Sequence, residues 1–495
     1  MIHESDFLAI DIGNSHVRLN IGHFDGEKLD LEEIYQFRNQ QVFIQGHLFC
    51  DLINIYQGIK NGLSQVGNVL KSDISGIGID SWGVDYVLLD QNDNMLSNTY
   101  HHTDHRTDGV FEKIFKIIPK EEIYHLTGIQ FSNFNTLPQL YSDLINRPWI
   151  LKKAKSMFFI ADFFNFLLTG KKYNEFTMAS TSQFFNTREM KWEKTILEKL
   201  SIPTNILQTI IKPGKVIGNL LPEIKKECNL TDDIPVISVA THDTASAVAA
   251  LPLEDKNSNV YISLGTWSLL GIELNEPNTN QASLAGNFTN ECGAKGEILY
   301  HKILPGLWMF NQCVNRWKLK GIWTSYQEAD HAAAKKEEPW RYFVNPNDKR
   351  FISSIDMPSA MKIYQKEKGR TVHQNIAQMI RGIYESLALN YRYYIEWIER
   401  ITNSEIKKIY IIGGGSKAQP LCQLTANVTG KEVMVGLPEA TVVGNLITQL
   451  IAREKINSWE EAKEIIKYSF QFHLYKPQKL SGCEIAYSEY KDLLT

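Results

Sequence analysis

The sequence predicts an α/β protein built from two domains of related construction. Short apolar runs typical of buried strands alternate along the chain with patterns typical of helices. One strand-turn-strand pattern occurs twice, about half the chain apart. With 495 residues, the chain is also too long for a single hydrophobic core.

The first strand-turn-strand pattern lies near the start of the chain. Phe7–Ile12 is an apolar run interrupted only by Asp11, and the polar segment Gly13–His16 follows it. Apolar and polar residues then alternate, with the apolar positions at Val17, Leu19 and Ile21. This order predicts a buried strand, a tight turn and a return strand.

The second pattern lies in the middle of the chain. An apolar run at Val260–Leu264 precedes the turn Gly265–Ser268, and a second apolar run covers Leu269–Ile272. We expect each domain to open with such a hairpin. The predicted domains are therefore residues 1–250 and residues 251–495.

Other apolar segments complete the predicted alternation. Strands are expected at Ile74–Ile79, Val84–Leu89, Ile234–Ala240 and Ile409–Ile412. Helices are expected from Thr244 onward and over Leu421–Val428. Apolar residues also recur at steps of three and four between Ile376 and Ile398, which predicts a long helix with one buried face.

Charge and composition exclude several classes of protein. The chain has 52 Lys and Arg against 56 Asp and Glu, a net charge of −4, and this predicts no broad basic surface for duplex nucleic acid or an acidic membrane. The 43% hydrophobic content, with only 31 Gly and 16 Pro, excludes disordered and collagen-like chains. A small-molecule ligand is the expected partner.

The six cysteines are scattered and form no C-x-x-C pair. This pattern fits neither a zinc ribbon nor a disulfide-rich secreted domain, so we expect reduced thiols in a cytoplasmic protein. The first residues do not resemble a signal peptide, and the apolar segment Met157–Leu168 is too short to cross a membrane.

Common catalytic motifs are missing from the sequence. No Gly-Lys pair belongs to a G-x-x-x-x-G-K-[ST] loop, and the nearest approach to G-x-G-x-x-G, at Gly76, has Ser81 in its sixth place. G-x-S-x-G and H-E-x-x-H are also absent. These absences argue against a P-loop, a dinucleotide fingerprint, a serine hydrolase and a zinc protease.

Polar residues at strand ends are the remaining candidates for chemistry. Asp11, at the end of the first strand, is suited either to hold a hydrated Mg²⁺ or to cap a turn. Main-chain N–H groups in the turns Gly13–His16 and Gly265–Ser268 can bind anions or form ordinary hairpin turns. Both alternatives stay open for each of these segments.

The segment Thr241–Thr244 follows a strand and precedes a small-residue helix. Asp243 would then lie at a helix N-terminus, where the helix dipole favours the ionised carboxylate that a general base requires. A simple helix cap is the structural alternative. Gly413–Gly415 likewise suit either a nucleotide lying against bare main chain or a tight strand-to-helix turn.

A cluster of histidines follows the predicted strand Val84–Leu89. His101, His102 and His105 lie close to Asp104, which raises the possibility of a metal site. The polar residues around them are typical of an exposed loop, so we expect a solvated or substrate-facing loop instead.

Together these segments resemble the FGGY carbohydrate kinases. The resemblance runs from the first strand to about residue 450 and is carried by Asp11–Gly13, Gly78–Asp85, His242–Thr244, Ser263–Ser268 and Gly413–Gly415. It implies two actin-like, ribonuclease-H-like ATPase domains with a catalytic cleft between them. The sugar would lie on the side of residues 1–250 and ATP mainly on the side of residues 251–495.

The resemblance also implies an activity. It implies ATP- and Mg²⁺-dependent phosphorylation of a ketose at its terminal C1 hydroxyl, with L-rhamnulose as the first expectation and L-fuculose or another ketose as the alternative. A monomer or a homodimer is expected. A non-catalytic, actin-like sugar sensor is the competing hypothesis, and Asp243 argues against it because a binding module needs no base.

The family pattern assigns roles to particular residues. Asp243 would be the catalytic base, and the sugar would be bound by Gly83, His242, Asp243 and Thr244. Asp11 would orient Mg²⁺. The nucleotide would be bound by Asn14, Ser15, His16, Val17, Arg18, Thr266, Asn311 and Gly414.

Three positions depart from the family pattern. The turn Asn14–Arg18 lacks the usual glycine, Thr103 replaces a basic residue, and Ile303 replaces an asparagine. Because buried polar groups discriminate strongly between substrates, Thr103 and Ile303 bear on which ketose is preferred.

Overall fold

The computed structural model describes residues 5–69, 74–230, 233–256, 258–322, 328, 339–351, 354 and 356–494. They divide into two compact units. The first unit comprises the described residues of Met1–Pro252, Glu273–Tyr300 and Ala440–Ser469. The second comprises those of Leu253–Ile272, His301–Glu439 and Phe470–Thr495.

The described strands are numbered in chain order. They are β1 Ser5–Ile12, β2 His16–Phe24, β3 Leu29–Arg38, β4 Gln41–Ile44, β5 His47–Cys50, β6 Ile74–Ser81, β7 Tyr86–Leu89, β8 Ser156–Phe159, β9 Asn174–Glu175, β10 Phe185–Asn186, β11 Lys191–Trp192, β12 Ile210–Ile211, β13 Lys215–Asn219, β14 Pro235–Ser238, β15 Asn259–Leu264, β16 Trp267–Leu274, β17 Thr289–Cys292, β18 Ile298–Pro305, β19 Lys408–Ile412, β20 Glu432–Gly436 and β21 Phe472–Tyr475.

The described helices are named by their ranges. The α-helices are Leu52–Val69, Val110–Ile114, Lys120–Thr127, Thr136–Asn146, Pro148–Lys153, Ile160–Thr169, Phe176–Ser180, Lys194–Lys199, Pro222–Glu227, Asp243–Ala249, Gln281–Ala285, Trp308–Leu319, Met357–Glu367, Ile376–Thr402, Gln419–Thr429, Ala440–Ala452, Trp459–Ser469 and Cys483–Asp492. Short 3₁₀ turns occur at His105–Thr107, Thr204–Ile206, Lys349–Phe351 and Gly414–Lys417.

The first unit is organised around a six-stranded sheet with the order β13-β14-β6-β1-β2-β3. Strands β14, β6 and β1 are parallel, and β1 returns through an antiparallel hairpin to β2. The register places Asp11 of β1 beside Asp80 of β6. The carboxyl ends of the three parallel strands therefore meet at one edge of the sheet, where ligands bind in open α/β sheets.

Helix Ala440–Ala452 covers this sheet although it lies far away in the sequence. It packs against β1, β6 and helix Asp243–Ala249. The amide of Asn445 donates to the carbonyl of Gly78 at 3.2 Å and to the carboxyl of Asp80 at 2.6 Å. Gln449 donates to a main-chain oxygen of β1 at 2.9 Å. These bonds satisfy polar groups that the packing buries.

The second unit has a mixed sheet with the strand order β18-β16-β15-β19-β20-β21. Strands β15, β19 and β20 are parallel, while β16 and β21 pair antiparallel to their neighbours. The predicted long helix is present as Ile376–Thr402. It starts where the side chain of Asn375 accepts from the N–H of Gln378 and ends at Asn403, whose φ of 52° is left-handed.

Both predicted hairpins are present, as β1–β2 and β15–β16. The strand expected at Val84–Leu89 starts later, at Tyr86, because Val84 has a φ of 71° and belongs to a turn. All six cysteines are buried free thiols, in agreement with the expectation. Within the ranges that the structure describes, no helix is long and apolar enough to cross a membrane.

Gly444 provides a test of the packing between helix Ala440–Ala452 and helix Asp243–Ala249. A Cβ at this position would lie 1.7 Å from the carbonyl oxygen of Ser246. We expect Gly444→Ala to lower stability by at least the roughly 1–3 kcal/mol typical of overpacking. The midpoint temperature of thermal unfolding should be several degrees lower than that of the wild type.

Gly218→Ala is the matched control, since its Cβ would make only ordinary contacts, the nearest at 3.5 Å to Lys171. Equal unfolding temperatures for the two variants would contradict the close helix packing.

Candidate active site

The strand ends of the first sheet bring the predicted sugar residues together. The N–H of Ser81, at the end of β6, donates to the carbonyl of Thr241 at 2.8 Å, and Ser81 forms a parallel bridge with His242. This bridge continues the pairing of β14 with β6 beyond the last residue of β14. Gly83, His242, Asp243 and Thr244 therefore lie at one edge of one sheet.

Asp243 is the first residue of helix Asp243–Ala249. Its Oδ1 accepts from the N–H of Thr244 at 2.6 Å and from the Thr244 hydroxyl at 3.2 Å. About a third of the side chain, 35%, is exposed, which leaves the carboxylate open to a substrate. Burial of the rest raises the pKa of Asp243, while the charge of His242 and the Thr244 bonds oppose the rise.

Glu175 fixes the turn that precedes Asp243. This carboxylate is fully buried and accepts from Thr241 twice, at 3.0 Å from N–H and 2.9 Å from the hydroxyl. It also accepts from the N–H of Thr177 at 2.9 Å and from the Thr177 hydroxyl. Burial raises the pKa of Glu175 to about 7 against the effect of these bonds. One buried carboxyl group therefore ties Thr241 in the turn to Thr177.

The His242 ring lies between two carboxylates. Its Nδ1 is 3.3 Å from Oε2 of Glu291, and its Nε2 is 3.4 Å from Oδ1 of Asp243. Gly83 lies against the same ring, since a Cβ there would be 3.4 Å from the His242 Cδ2 and 3.3 Å from Thr181. A side chain at position 83 would fill the space in front of the imidazole.

Asp11 lies at the same edge, beside the fully buried Asp80. Burial and the neighbouring charge of Asp11 hold the pKa of Asp80 well above its ordinary value. The buried Asp80 is therefore favoured in its protonated form beside Asp11. A half-buried carboxylate next to a tight turn has the oxygen chemistry that Mg²⁺ prefers.

The turn after Asp11 is held by its own main chain. Gly13 N–H donates to the carbonyl of His16 at 3.0 Å, and the Asn39 side chain donates to the carbonyl of Gly13 at 2.9 Å. Asn14 and Ser15 are exposed, whereas the Val17 side chain is fully buried in the core. Val17 therefore presents only its main chain to any ligand.

The other two residues of this turn are partly buried. Arg18 has its Nε 3.8 Å from Oε2 of Glu33. Burial, together with the charges of Arg18 and Arg38, lowers the pKa of His16. A neutral His16 then adds no positive charge to the turn, and Arg18 is the cation among its five residues.

The prediction of an exposed loop around the histidines is wrong for His101 and Asp104, which are buried. The reason is a buried anion: Asp85 accepts from His102 Nδ1 at 3.0 Å and from Trp82 Nε1 at 2.8 Å. Burial alone would raise the pKa of Asp85, but His102 and these bonds lower it. Asp85 is therefore held by protein donors, and the ligand atoms of Asp85, His101 and His102 lie within 4.8 Å of one another.

His101 links this cluster to the turn after β1. The N–H of Thr103 donates to Nδ1 of His101 at 3.3 Å, so the ring proton is on Nε2, which lies 3.4 Å from Oδ1 of Asn14. Burial lowers the pKa of His101 to about 4, in keeping with a neutral ring.

In the second unit, three segments meet at the end of β15. The carbonyl of Thr266, in the hairpin turn, accepts from the N–H groups of Gly306 and Trp308, each at 3.1 Å. A Cβ on Gly306 would lie 2.6 Å from the Gly265 oxygen, and one on Gly415 would lie 2.7 Å from the Leu264 oxygen. Only glycine permits these approaches.

This packing positions the predicted nucleotide residues of the second unit. Thr266 is exposed at the turn, and Asn311 lies in the first turn of helix Trp308–Leu319. Gly414 is exposed, and a Cβ on it would meet no atom within 4 Å. The main chain at Gly414 is therefore open to a ligand.

Comparison with known proteins assigns the chain to a family. Residues 7–250 match the N-terminal domain, and residues 260–453 match the C-terminal domain, of the FGGY family of carbohydrate kinases. The chain belongs to this family. It is 41% identical over 475 residues to a rhamnulokinase of Oceanobacillus iheyensis, covering 96% of this chain and 99% of the relative. A rhamnulokinase of Bacteroides thetaiotaomicron is 36% identical over 489 residues, covering 99% of each chain.

The fold of this FGGY kinase agrees with solved structures. A xylulose kinase from Lactobacillus acidophilus superposes with a TM-score of 0.81 at 16% identity, covering 99% of this chain and 96% of the other. The predicted two-domain α/β sugar kinase fold and the enzyme class are confirmed.

Sequence reasoning missed two acids of this site. Glu175 lies in a two-residue strand, and Glu291 lies in β17, nearly 50 residues after His242. Neither has a local motif around it, because each acts through a contact that only the tertiary fold creates. Both are buried carboxyl groups directed at the segment Thr241–Asp243, and their burial in the folded chain is the feature that identifies them.

The raised pKa of Glu175 predicts a pH-dependent stability. The folded state keeps its proton up to about pH 7, whereas the unfolded chain ionises from its ordinary value of 4.5. The protonated Glu175 contributes its full share to the free energy of unfolding below about pH 4.5. This contribution, on the order of 3 kcal/mol, is lost as the pH rises to about 7.

Thermal unfolding of wild type and Glu175→Gln at several pH values measures this effect. The unfolding temperature of the wild type should fall relative to that of Glu175→Gln as the pH rises from about 5 to 8. The exposed Glu198→Gln is the control and should follow the wild type. A difference independent of pH would show that Glu175 is already ionised in the folded protein.

Proposed function

We propose that this protein transfers the γ-phosphoryl group of ATP to the C1 hydroxyl of L-rhamnulose, giving L-rhamnulose 1-phosphate and ADP. The observation that carries the proposal is the 41% identity to a rhamnulokinase over nearly the whole of both chains. The arrangement around Asp243 supports it, because phosphoryl transfer to an alcohol needs one carboxylate at the acceptor hydroxyl.

Asp243 accepts the proton of the C1 hydroxyl while the oxygen of that hydroxyl attacks the γ-phosphorus of ATP. The bond from phosphorus to the bridging oxygen breaks, and ADP leaves with the electron pair. Gly83, His242 and Thr244 line the sugar on the side of residues 1–250. The exposed part of Asp243 leaves room for a polyol beside the base, and the absence of a side chain at Gly83 avoids crowding the His242 ring.

ATP lies mainly on the side of residues 251–495 in this proposal. Thr266, Asn311 and Gly414 contact the nucleotide, and the turn Asn14–Arg18 contributes N–H groups and the Arg18 charge to the phosphates. The exposed main chain at Gly414 and in the turn supports these roles, since phosphates are bound well by main-chain N–H groups in tight turns.

Asp11 holds Mg²⁺ in this proposal. The half-buried Asp11 carboxyl group supplies the oxygen donor, and Mg²⁺ usually keeps most of its water when a protein offers one or two carboxylates. When bound, the ion neutralises charge on the phosphates of ATP.

A second ketose, such as L-fuculose, is the alternative acceptor. It stays the alternative because Thr103 stands where the family pattern has a basic residue and Ile303 stands where it has an asparagine. The hydroxyl of Thr103 lies 2.7 Å from Nδ1 of His101. A coupled ADP assay against a panel of ketoses, with L-rhamnulose and L-fuculose side by side, decides between them. No activity with any ketose would support a sugar sensor instead.

Replacing Asp243 by Asn tests the proposed base. Asn keeps the shape but cannot accept the hydroxyl proton, so we expect sugar-dependent ADP formation to fall by at least the roughly 10²–10⁴-fold typical of general-base catalysis. ATP binding, measured by calorimetry, should stay nearly unchanged. Asp90→Asn, at an exposed turn of the same unit, is the control. Unchanged turnover in Asp243→Asn would remove Asp243 from the mechanism.

Replacing Thr266 by Trp tests the proposed nucleotide turn. A bulky side chain at this exposed turn should obstruct ATP, so we expect the KM for ATP to rise more than the KM for the sugar. Thr371→Trp, an exposed position of the second unit, should leave both values near those of the wild type. The opposite pattern, with the sugar KM rising more, would contradict the assignment of ATP to this side.

A further inference from the structure

We infer that Glu291 is a positioning residue for the reaction, which holds the His242 imidazole in one tautomer and one orientation beside Asp243. The inference rests on the proposed function and deepens it, because it assigns a role to an acid that no motif of the chain identifies. Glu291 touches neither Asp243 nor the sugar in this account, so it acts through His242.

The contact between Glu291 and His242 is buried. The side chains of Glu291 and His242 are 6% and 9% exposed, and Oε2 of Glu291 lies 3.3 Å from Nδ1 of His242. Polar atoms this close and this well shielded from water interact strongly. The opposite ring nitrogen, Nε2, is 3.4 Å from Oδ1 of Asp243.

The Glu291 carboxyl group favours one position of the ring proton. A carboxylate only accepts hydrogen bonds, so a bond between Oε2 of Glu291 and Nδ1 of His242 requires the ring proton on Nδ1. When the ring carries that single proton, Nε2 is the acceptor nitrogen. A sugar hydroxyl next to the reacting C1 hydroxyl can donate to this nitrogen, and this bond orients the sugar relative to the base.

Glu291 is itself held rigidly. It lies in β17 between two residues whose main chains are bonded to other segments of the first unit. Asn290 N–H donates to the carbonyl of Gly128 at 3.0 Å, and Cys292 N–H donates to the Ser180 hydroxyl at 2.9 Å. The main chain is therefore fixed on each side of Glu291, and this limits how far its carboxyl group can move. Groups that position a catalytic residue need such support.

The main chain of His242 is fixed independently of Glu291. Its N–H donates to the Thr177 hydroxyl at 3.3 Å, and the preceding Thr241 is bound by Glu175. The titratable groups named around the ring are thus Asp243 on its own helix, Glu291 on β17 and Glu175 behind the turn. Because the backbone is already fixed, loss of Glu291 should release the ring and leave the turn in place.

A double-mutant cycle tests this inference in the ketose kinase assay. The variants are Glu291→Ala, His242→Ala and the double variant, with kcat and both KM values measured for each. A misplaced catalytic geometry can reduce a rate by about 10²-fold, so we expect Glu291→Ala to lower kcat/KM for the sugar by about 10–100-fold. The KM for ATP should change less than about twofold.

The cycle distinguishes positioning from a general structural role. If Glu291 acts through His242, adding Glu291→Ala to His242→Ala should cause little further loss. Glu291→Gln keeps an oxygen that can accept from Nδ1, so it should recover part of the loss and retain activity within about tenfold of wild type. This isosteric variant also serves in the cycle if Glu291→Ala does not fold.

Glu297→Gln is the matched control. Glu297 is a carboxylate of the same β-hairpin that bonds to Lys295 N–H at 2.8 Å and not to His242, so its replacement should leave the sugar KM unchanged. Additive losses in the cycle, or wild-type kinetics for Glu291→Ala and Glu291→Gln, would overturn the inference. Absence of ketose kinase activity in the wild type would instead contradict the proposed function.

Discussion

The parallel pairing of β1, β6 and β14 is the constraint on which the candidate active site depends. Parallel strands end at a common edge, so the pairing carries Asp11, Gly83 and Asp243 to one place although they are separated by more than 200 residues. The bridge between Ser81 and His242 extends this pairing into the turn. A slip of one residue in either pairing would turn these side chains to the other face of the sheet.

Buried carboxyl groups then hold the edge in shape. Asp80, Glu175 and Glu291 all lie in the first unit, and all three are buried. Burying an ionisable group is costly unless it is hydrogen-bonded or neutral, and this site uses both solutions. Burial raises the pKa of Asp80 beside Asp11, which favours the neutral acid, while Glu175 accepts hydrogen bonds from Thr177 and Thr241. The acids that are fixed support Asp243, which stays accessible.

Local patterns predicted much of this molecule. Both hairpins, the long helix from Ile376 and the helix at Asp243 follow from periodicity and from polar residues at strand ends. Contacts between distant segments were not predictable: Glu291 reaches His242 only because β17 returns to the first unit. The burial of His101 was missed for the same reason, since Asp85 lies in a separate segment and pairs with His102 only in the folded chain.

We propose that this edge directs a phosphoryl group onto the terminal hydroxyl of a ketose, and phosphorus and proton NMR of the product formed from L-rhamnulose and ATP can test this. We expect a phosphomonoester whose phosphorus couples to the two C1 protons. Phosphorus coupled to a single ring proton, or release of inorganic phosphate alone, would show that the C1 hydroxyl is not the acceptor.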